Sequence, residues 1–580
     1  MQFFPPCDRP ELLHREGPAW HPKRGPPFSG HSKKLPQGER LSVTDQQTAD
    51  CIPVTQVPGA SRLYRDFCAG DGHIRKFYAS LPWDGRWQQR PAVPEHWPEL
   101  VRLLAEQNPG PSTANALEAL RGGAGTVVTG QQVTLFGGPL FTPLKMATVV
   151  ARARQATQAA RPHVPIFWLA TEDHDFAEVN HVLFPARRGM ERLEYTAEPH
   201  APRPVGGLVL DESVLPLVER AQEILGASEA ADALAAAYQP GKTLGQAFAE
   251  FYARIFAAQG LLILDASGRD FHRLGAPVLR PAIERADEFH AALLERDAAL
   301  QAAGYHVQVA VLEHSSLLFL LDEKTGARIA LKRTQPSAAE PNGIWQAGNT
   351  RYTTADLVGI LEAEPERISP SALLRPIFQD YLLSTSLIVG GPAEIAYFGQ
   401  SEVLYQKILG RQTTSEPRLS ATLIEPNVAE LMQKHGLTLE QVLREDEHGL
   451  AKLLADQAMP AAGRQRLETA SKALDAELDA LLEWMRAQDE ALGKSAETAA
   501  SKMQYQMSRL RTMAENFQLQ KEASLARHAQ TIATALCPGG VRQERVHAAA
   551  YYFGRYGTDL AERLCALAEK QCPGHALLPL

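Results

Sequence analysis

The residue types best suited to chemistry are concentrated in one acidic segment directly after the apolar run 164–170. Its ionisable members are Glu172, Asp173, His174 and Asp175. Three carboxylates around one imidazole would raise the pKa of the histidine and could form a proton-transfer site or a metal site. The other interpretation is a helix N-cap with solvated acids and one structural histidine. We expect catalysis or substrate contact here, without a metal, and we add the nearby Asn180 and His181 as binding candidates.

A second candidate segment, rich in glycine and glutamine, joins a predicted strand to a predicted helix. The residues expected to bind substrate or nucleotide here are Thr129, Gly130, Gln131, Gln132, Gly137, Gly138 and Lys145. Glycine allows close backbone approach, and the start of a helix favours an anion. The spacing matches neither the Walker loop nor Gly-x-Gly-x-x-Gly, so no standard nucleotide signature applies. A purely structural turn is the alternative.

A third group of candidates lies further along the chain, around a second Gly-Gly-Pro turn. Its members are Arg375, Gln379, Asp380, Gly390, Gly391, Glu394 and Tyr397. Arg375 could hold a carboxylate with both arms of its guanidinium. Glu394 and Tyr397 are three residues apart and therefore share one face of a helix, where either could bind an amine or a sugar hydroxyl. A turn followed by a helix cap is the alternative interpretation.

The elements that must position these residues repeat one pattern: a short apolar strand, a polar loop and an amphipathic helix. The four predicted strands are 126–128, 164–170, 261–264 and 387–389. Continuous apolar runs are typical of strands buried on both faces, which predicts an α/β fold with a parallel, doubly wound, Rossmann-like sheet. Ligands bind such sheets beyond the carboxyl ends of the strands, where the candidate loops lie.

The rest of the chain changes in residue pattern along its length. We predict an antiparallel insertion from 305–312, 317–321 and 328–332. Leu467, Leu474 and Leu481 recur every seven residues, which indicates a long antiparallel coiled-coil hairpin that covers its open face with a second copy or with the core. The expected organisation is a flexible proline-rich extension over 1–48, the core over 49–425 with a β-containing insertion around 300–345, a helical region over 426–536 with the hairpin at 461–536, and a C-terminal segment, 537–580, that docks on the core.

Composition excludes several classes of protein. The 580 residues carry 59 basic and 67 acidic side chains, a formal charge of −8, which argues against nucleic acid as the default partner. With 44% hydrophobic and 22% charged residues, the chain is not mostly disordered. Lacking an 18-residue apolar run and an apolar N-terminal signal core, it is expected to avoid membranes and stay in the cytoplasm. The six cysteines form no Cys-x-x-Cys pair, and their sparse use is consistent with a reducing compartment.

Taken together, the segments resemble one known family, the bacillithiol biosynthesis cysteine-adding enzymes. The resemblance rests on Val128–Gln132, Gly137–Leu140 with Lys145, Phe167–Asp175, Leu374–Pro376 with Gln379 and Asp380, and Gly390–Tyr397. It implies a class I synthetase-like Rossmann core with inserted connecting segments and a coiled-coil arm that forms a homodimer. It also implies the addition of L-cysteine to glucosaminyl-malate, the last step of bacillithiol biosynthesis.

That reaction sets chemical requirements. Amide formation from a free acid is uphill in water, so we expect ATP with Mg²⁺ as activating cosubstrate, or a bound adenine nucleotide. His174, tuned by its acidic neighbours, is the expected base for the sugar amine. Lys145 and Arg375 would hold malyl carboxylates or phosphates, and Gln131, Gln132 and the glycine amides would hold a phosphate or acyl oxygen. Two alternatives remain: another amide ligase or nucleotidyltransferase acting on a different amine, and a non-enzymatic, metabolite-binding coiled-coil scaffold.

Overall fold

The computed structural model describes residues 51–186, 189–197, 202–334 and 344–580. The predicted flexible extension, 1–48, lies outside the described residues. Within the described part of the chain, no helix is long and apolar enough to cross a membrane.

The described residues form fifteen strands and twenty-one α-helices. The strands are β1 (Cys51–Ile52), β2 (Gly125–Gln131), β3 (His163–Leu169), β4 (His181–Pro185), β5 (Met190–Glu194), β6 (Leu262–Asp265), β7 (Ser315–Leu321), β8 (Arg328–Arg333), β9 (Trp345–Ala347), β10 (Thr350–Tyr352), β11 (Ile368–Pro370), β12 (Thr385–Gly390), β13 (Thr414–Pro417), β14 (Ala421–Ile424) and β15 (His575–Pro579). The helices are α1 (Arg62–Ala69), α2 (Trp97–Gln107), α3 (Pro111–Arg121), α4 (Phe141–Gln158), α5 (Phe176–Val179), α6 (Val214–Leu225), α7 (Glu229–Ala237), α8 (Leu244–Ile255), α9 (Arg269–Glu284), α10 (Ala286–Ala302), α11 (Thr354–Ala363), α12 (Arg375–Leu383), α13 (Pro392–Leu409), α14 (Pro426–Lys434), α15 (Leu439–Leu443), α16 (Glu447–Ala458), α17 (Ala461–Gln488), α18 (Glu490–Lys521), α19 (Ala523–Leu536), α20 (Ala549–Tyr556) and α21 (Leu560–Glu569).

The central sheet has the strand order β13-β12-β2-β3-β6, and every neighbouring pair is parallel. Alternate residues of each strand enter different hydrophobic cores: Val127 packs on one face and Val128 on the other. Helix α4 covers the first face, and α9 and α13 cover the second. The predicted doubly wound, Rossmann-like fold is therefore confirmed.

A second, antiparallel sheet has the order β10-β9-β8-β7-β11 and packs through residues of β7 and β8 on the second core. The predicted pairing of 317–321 with 328–332 matches β7 and β8. The predicted strand at 305–312 is wrong, because the chain runs there without regular structure between α10 and β7. One reason is that Gln308 and Val309 donate their backbone N–H groups to the Gln400 side chain, which replaces strand pairing.

Helices α17 and α18 form the predicted coiled-coil hairpin, with contacts between them such as Gln504 to Asp475. The sequence predicts the turn near Gly493–Glu497; it lies instead at Asp489, because the carboxylate of this residue caps α18 by accepting a hydrogen bond from Leu492 N at 2.9 Å. Most apolar side chains of the hairpin are exposed, so the alternative in which both helices are buried against the core does not describe this part of the chain.

The C-terminal residues return to the core. Helix α21 packs on α4, and β15 lies between β14 and β1 in a three-stranded sheet. Cys51 and Cys572 form a disulfide beside this sheet. The sparse use of cysteine had given no indication of this pairing.

Candidate functional site

The polar loops that follow the central strands meet at the carboxyl edge of the sheet. We call the group of side chains there the polar cluster; its members are Gln131, Gln132, Lys145, Glu172, Asp173, His174, His272, Arg328, Arg375, Glu394 and Tyr397. The side chains of Glu172, Asp173 and His174 remain 21%, 26% and 29% exposed, so this edge is accessible to small molecules.

Lys145 joins the loop after β2 to the loop after β12. Its ammonium group donates to Gly130 O at 2.7 Å and to Gln131 Oε1 at 2.9 Å, and it lies 2.5 Å from Glu394 Oε2. Burial lowers the pKa of Lys145 below its ordinary value, and the carboxylate of Glu394 only partly offsets this effect. An ammonium has three donors, and all three are engaged, so the expected contact between Lys145 and a phosphate or carboxylate is not supported.

Glu394 completes this junction from the start of α13. The same oxygen, Oε2, accepts the backbone N–H of Gly391 at 2.7 Å, which caps the helix. A side chain at Gly390 would press its Cβ to 2.8 Å from Glu394 Cβ, so only glycine fits this turn. The second Gly-Gly-Pro turn therefore holds Glu394 against Lys145.

Arg375 lies at the start of α12 and faces charges from three loops. Burial alone would lower its pKa, but Tyr397, Asp173 and Glu394 together raise it. Burial raises the pKa of the Tyr397 phenol, which therefore stays a hydrogen-bond donor at neutral pH. Arg375 thus brings a guanidinium between the loop after β3 and the loop after β12.

Asp173 feels the positive charges of both arginines of the cluster, Arg375 and Arg328. Burial alone would raise its pKa, but the charges of Arg375 and Arg328 and a hydrogen bond from Gln132 lower it. Gln132 Nε2 donates to Asp173 Oδ2 at 2.8 Å, and Asp173 Oδ1 accepts the backbone N–H of His174 at 2.7 Å. Asp173 is therefore ionised and fixes the position of the His174 backbone.

The environment of His174 differs from the one expected. Burial, followed by the positive charge of Arg328, lowers the pKa of His174, and these effects outweigh the opposing charge of Asp173. The expectation of a raised pKa at His174 is therefore wrong, although Asp173 and Asp175 do act in that direction. Within the described residues, Nδ1 has no hydrogen-bond partner, and the nearest Asp173 oxygen lies 4.0 Å away. Nδ1 is itself buried, so a neutral imidazole here can accept a proton near pH 7 only through a ring nitrogen that faces the substrate.

Two members of the cluster were missed from the sequence. Arg328, at the start of β8, lies with its guanidinium carbon 3.7 Å from the centre of the Phe319 ring, and it donates to Ser369 Oγ and Pro370 O at 3.0 Å. His272 lies in the first turn of α9, just after β6. Because ligands bind beyond the carboxyl ends of parallel strands, this position could have been predicted from the sequence. No sequence motif around Arg328 indicates a site residue, because this arginine belongs to the inserted sheet and reaches the cluster only in the folded chain.

Glu172 and His272 form a partly buried ion pair, with 3.0 Å between Oε1 and Nε2; the histidine side chain is fully buried and the carboxylate is partly exposed. Burial alone would lower the pKa of His272, but the carboxylate raises it. Burial alone would raise the pKa of Glu172, but His272 and then Arg328 lower it. His272 Nδ1 lies 2.9 Å from Ile368 O, which anchors the pair to the inserted sheet.

This pair predicts a pH-dependent stability. The raised pKa of His272 means that its contribution is complete below pH 6.5 and is lost as the pH rises through the folded-state pKa. The lowered pKa of Glu172 means that its contribution is present above pH 4.5 and is lost as the pH falls through the folded-state value. We expect His272→Gln to lower the free energy of unfolding by about 3 kcal/mol at pH 6 and by less at pH 9. Thermal unfolding across this range measures it, with His306→Gln, at an exposed histidine, as control; equal losses at both pH values would contradict it.

Other candidates serve the fold. Thr129 Oγ1 donates to Val389 O at 2.8 Å and ties β2 to β12. The amide of Gly137 donates to Tyr238 Oη at 2.9 Å, and that of Gly138 donates to Leu135 O at 3.0 Å. Both residues are buried. The expected binding of a phosphate or acyl oxygen by these two amides is therefore not supported.

The remaining candidates lie outside the polar cluster or at its margin. Asn180 Nδ2 donates to Tyr195 O at 3.1 Å in the β4–β5 hairpin, and His181 Nδ1 lies 3.1 Å from Asn180 Oδ1. Asp175 caps α5 by accepting from Glu178 N at 3.3 Å. Asp380 accepts from Thr385 N at the amino end of β12, opposite the candidate site. Gln379 is buried, and its Nε2 has no hydrogen-bond partner among the described residues.

Comparison with known proteins agrees with the fold in both halves of the chain. Residues 48–413 match the family model described as "Bacillithiol biosynthesis BshC, N-terminal Rossmann-like domain", and residues 421–580 match the "C-terminal coiled-coil domain" of the same family. A relative from Koribacter versatilis, named "Putative cysteine ligase BshC", is 37% identical over 91% of this chain and 99% of its own. A relative of the same name from Solibacter usitatus is 32% identical over the same shares.

Proposed function

Since this chain belongs to the BshC family of bacillithiol biosynthesis, we propose that it is a cytoplasmic ligase that joins L-cysteine to the amine of glucosaminyl-malate. The observation that carries the proposal is the meeting of His174, Arg328 and Arg375 at one edge of the sheet. The relatives are named cysteine ligases, which supports cysteine as one substrate. The family description supports bacillithiol biosynthesis as the pathway.

The charges of the polar cluster suit an acidic substrate. Lys145 is paired with Glu394, and His272 is paired with Glu172. Counted over the whole polar cluster, the three carboxylates Glu172, Asp173 and Glu394 face Lys145, His272, Arg328 and Arg375, an excess of one positive charge when His272 is protonated. Guanidinium groups bind carboxylates through two parallel hydrogen bonds. We therefore assign the malyl carboxylates to Arg328 and Arg375.

His174 is the proposed base. The sugar amine must lose a proton before or while it attacks the acyl carbon of cysteine, and a neutral imidazole can take that proton. Arg328 helps to keep the imidazole neutral, because its charge lowers the pKa of His174. Asp173 holds the backbone of His174 in place. The same arginine would thus bind a substrate carboxylate and tune the base.

Activation of the cysteine carboxyl stays a prediction, with ATP and Mg²⁺ as the expected cosubstrates. The residues first expected to hold phosphates are engaged elsewhere: Lys145 with Glu394, and the amides of Gly137 and Gly138 within the fold. We therefore derive no step through a nucleotide.

The direct test of the reaction is product formation. The full chain is incubated with L-cysteine and glucosaminyl-malate, with and without ATP and Mg²⁺, and the thiol product is measured by mass spectrometry. We expect the amide product, and other amino sugars should react poorly because they lack the malyl carboxylates. A reaction with other amines but not with glucosaminyl-malate would favour the alternative ligase. Binding without turnover under every condition would favour the scaffold.

We further propose that the hairpin forms a homodimer. Helix α18 carries an exposed apolar stripe with three members at seven-residue spacing; its members are Met503, Leu510, Met513 and Phe517, which are 52%, 55%, 64% and 62% exposed. Helix α18 already packs on α17 along one face. A second, exposed apolar stripe on the same helix is typical of a surface that packs on a further helix in a coiled coil.

Replacing Leu510 and Phe517 together with serine is expected to convert the dimer to a monomer, because both belong to the seven-residue series of the stripe and are more than half exposed. Sedimentation velocity measures the change. Lys494→Ser, on the same helix but away from the stripe, should remain dimeric. A wild-type chain that sediments as a monomer at micromolar concentration would contradict the proposal.

A further inference from the structure

The Cys51–Cys572 disulfide closes the C-terminal strand onto the first described strand. The two residues are 521 positions apart in sequence, and their Cα atoms lie 5.8 Å apart. Strand β1 pairs with β15, with Ile52 opposite His575. A side chain on Gly574 would collide with the backbone of Ile52, so the two segments are in close contact beside the disulfide. We call this junction the terminal clasp.

The clasp borders a cavity. Cys572 lines a space of about 350 Å³ together with Cys68, Trp83, Gln88 and Gln571. Cavities of roughly 300–1,000 Å³ accommodate small organic molecules. Both cysteines of the clasp are partly exposed. A small thiol in the cavity would therefore lie against Cys572.

We propose that the clasp is a thiol-exchange site for low-molecular-weight thiols. The thiolate of a small thiol attacks Sγ of Cys572, the Cys51–Cys572 bond breaks, and Cys51 leaves as a thiolate that takes up a proton. The small thiol remains on Cys572 as a mixed disulfide. The step is reversed when the thiolate of Cys51 attacks Sγ of Cys572 in the mixed disulfide, which re-forms the Cys51–Cys572 bond and releases the small thiol, so the exchange runs in both directions without a further oxidant or reductant.

The other described cysteines are poor competitors for this exchange. Cys68 lines the same cavity, but burial raises the pKa of its thiol to about 12, so it stays protonated. Cys537 and Cys565 are buried. Because the thiolate is the attacking species, the exchange requires an external thiol.

A role for this exchange in the protein is supported on two grounds. Disulfides in reducing compartments are usually transient, catalytic or redox-sensing. The inference rests on the proposed function in one respect: a ligase that consumes cysteine and releases a thiol is exposed to both molecules. Its own substrate and product would then modify it reversibly.

The clasp also connects to the candidate site. His575 in β15 lies 2.8 Å from Ser420 Oγ through Nδ1, and Ser420 donates to the buried Glu544 at 3.0 Å. Glu544 pairs with Arg418 at 2.9 Å, and the backbone N–H of Arg418 donates to Gly390 O at 2.8 Å. Opening the clasp should therefore loosen β15 first, within reach of the turn that holds Glu394.

The test uses the full chain purified without reductant. Samples with and without L-cysteine are quenched with N-ethylmaleimide, digested and mapped by mass spectrometry. We expect a cross-linked Cys51–Cys572 peptide without thiol, and a cysteinyl adduct on Cys572 with L-cysteine. Backbone amide exchange in β15 should then accelerate about tenfold, since the strand has lost its covalent tie. An absent cross-link, or an adduct on Cys51 or Cys68 in place of Cys572, would overturn the proposal.

Two variants make the assignment independent of folding and of ligase activity. In Cys51→Ser, L-cystine should place a cysteinyl group on Cys572 directly, because this sulfur is then a free thiol. Cys565→Ser, at a buried cysteine, should behave like the wild type. The readouts are mass and amide exchange, so an inactive ligase with the predicted adduct would refute the proposed function and leave the clasp standing.

Discussion

Replacing His174 with glutamine is expected to lower kcat by roughly 10²- to 10⁴-fold, the range in which a positioned base contributes. Glutamine keeps a polar side chain of similar reach but cannot take up a proton. The loss should appear in kcat more than in KM for glucosaminyl-malate, because the imidazole acts on the proton that moves and is not assigned to the malyl carboxylates.

The pH profile separates a base from a merely structural histidine. Because the pKa of His174 is lowered, kcat/KM of the wild type should rise with pH through a midpoint below 6.5. This rise should vanish in His174→Gln. His181→Gln is the matched control, since His181 contacts Asn180 in the neighbouring hairpin. Turnover that is unchanged in His174→Gln would remove this residue from the role of base.

Replacing Arg328 with alanine should have the second large effect. Hydrogen bonds to charged groups contribute about 1.5–3 kcal/mol, so we expect KM for glucosaminyl-malate to rise roughly 10- to 100-fold. The same change removes a positive charge that lowers the pKa of His174, so the midpoint of the rise in kcat/KM should move to higher pH. These two changes together distinguish Arg328 from a residue that only supports the inserted sheet.

Two further variants sharpen this test. Arg328→Lys keeps the charge but not the planar fork, so it should restore the pH midpoint more fully than KM. Arg367→Ala removes another arginine that contacts the inserted sheet, one that pairs with Glu323 and Glu364, and should leave both quantities near wild type. A normal pH midpoint in Arg328→Ala would contradict the assigned tuning of His174.

The central sheet was predictable because its strands are continuous apolar runs. Strand β13 was not predicted: Thr414–Pro417 is polar, and its Glu416 is buried only because Arg152 lies 2.5 Å away, from a distant helix. The hairpin followed from the heptad spacing of leucines, whereas the position of its turn depended on the capping side chain of Asp489.

The candidate site was predictable in place but not in detail. The end of a strand indicated His174, and the chemistry of the guanidinium group indicated Arg375, yet burial decided what each side chain does. Lys145 is 3% exposed and engaged on all sides, which no sequence spacing reveals. Burial, and after it the charge of Arg328 from 154 positions away in sequence (328 − 174), reverses the expected pKa shift of His174, so local acidity was a misleading guide.

The measurement that tests the central claim most directly is a crystal structure of the full chain with glucosaminyl-malate bound. The malyl carboxylates should contact the guanidinium groups of Arg328 and Arg375, and the sugar amine should lie within about 3 Å of a ring nitrogen of His174. A ligand bound away from the carboxyl edge of the central sheet, or one whose amine points away from His174, would contradict it.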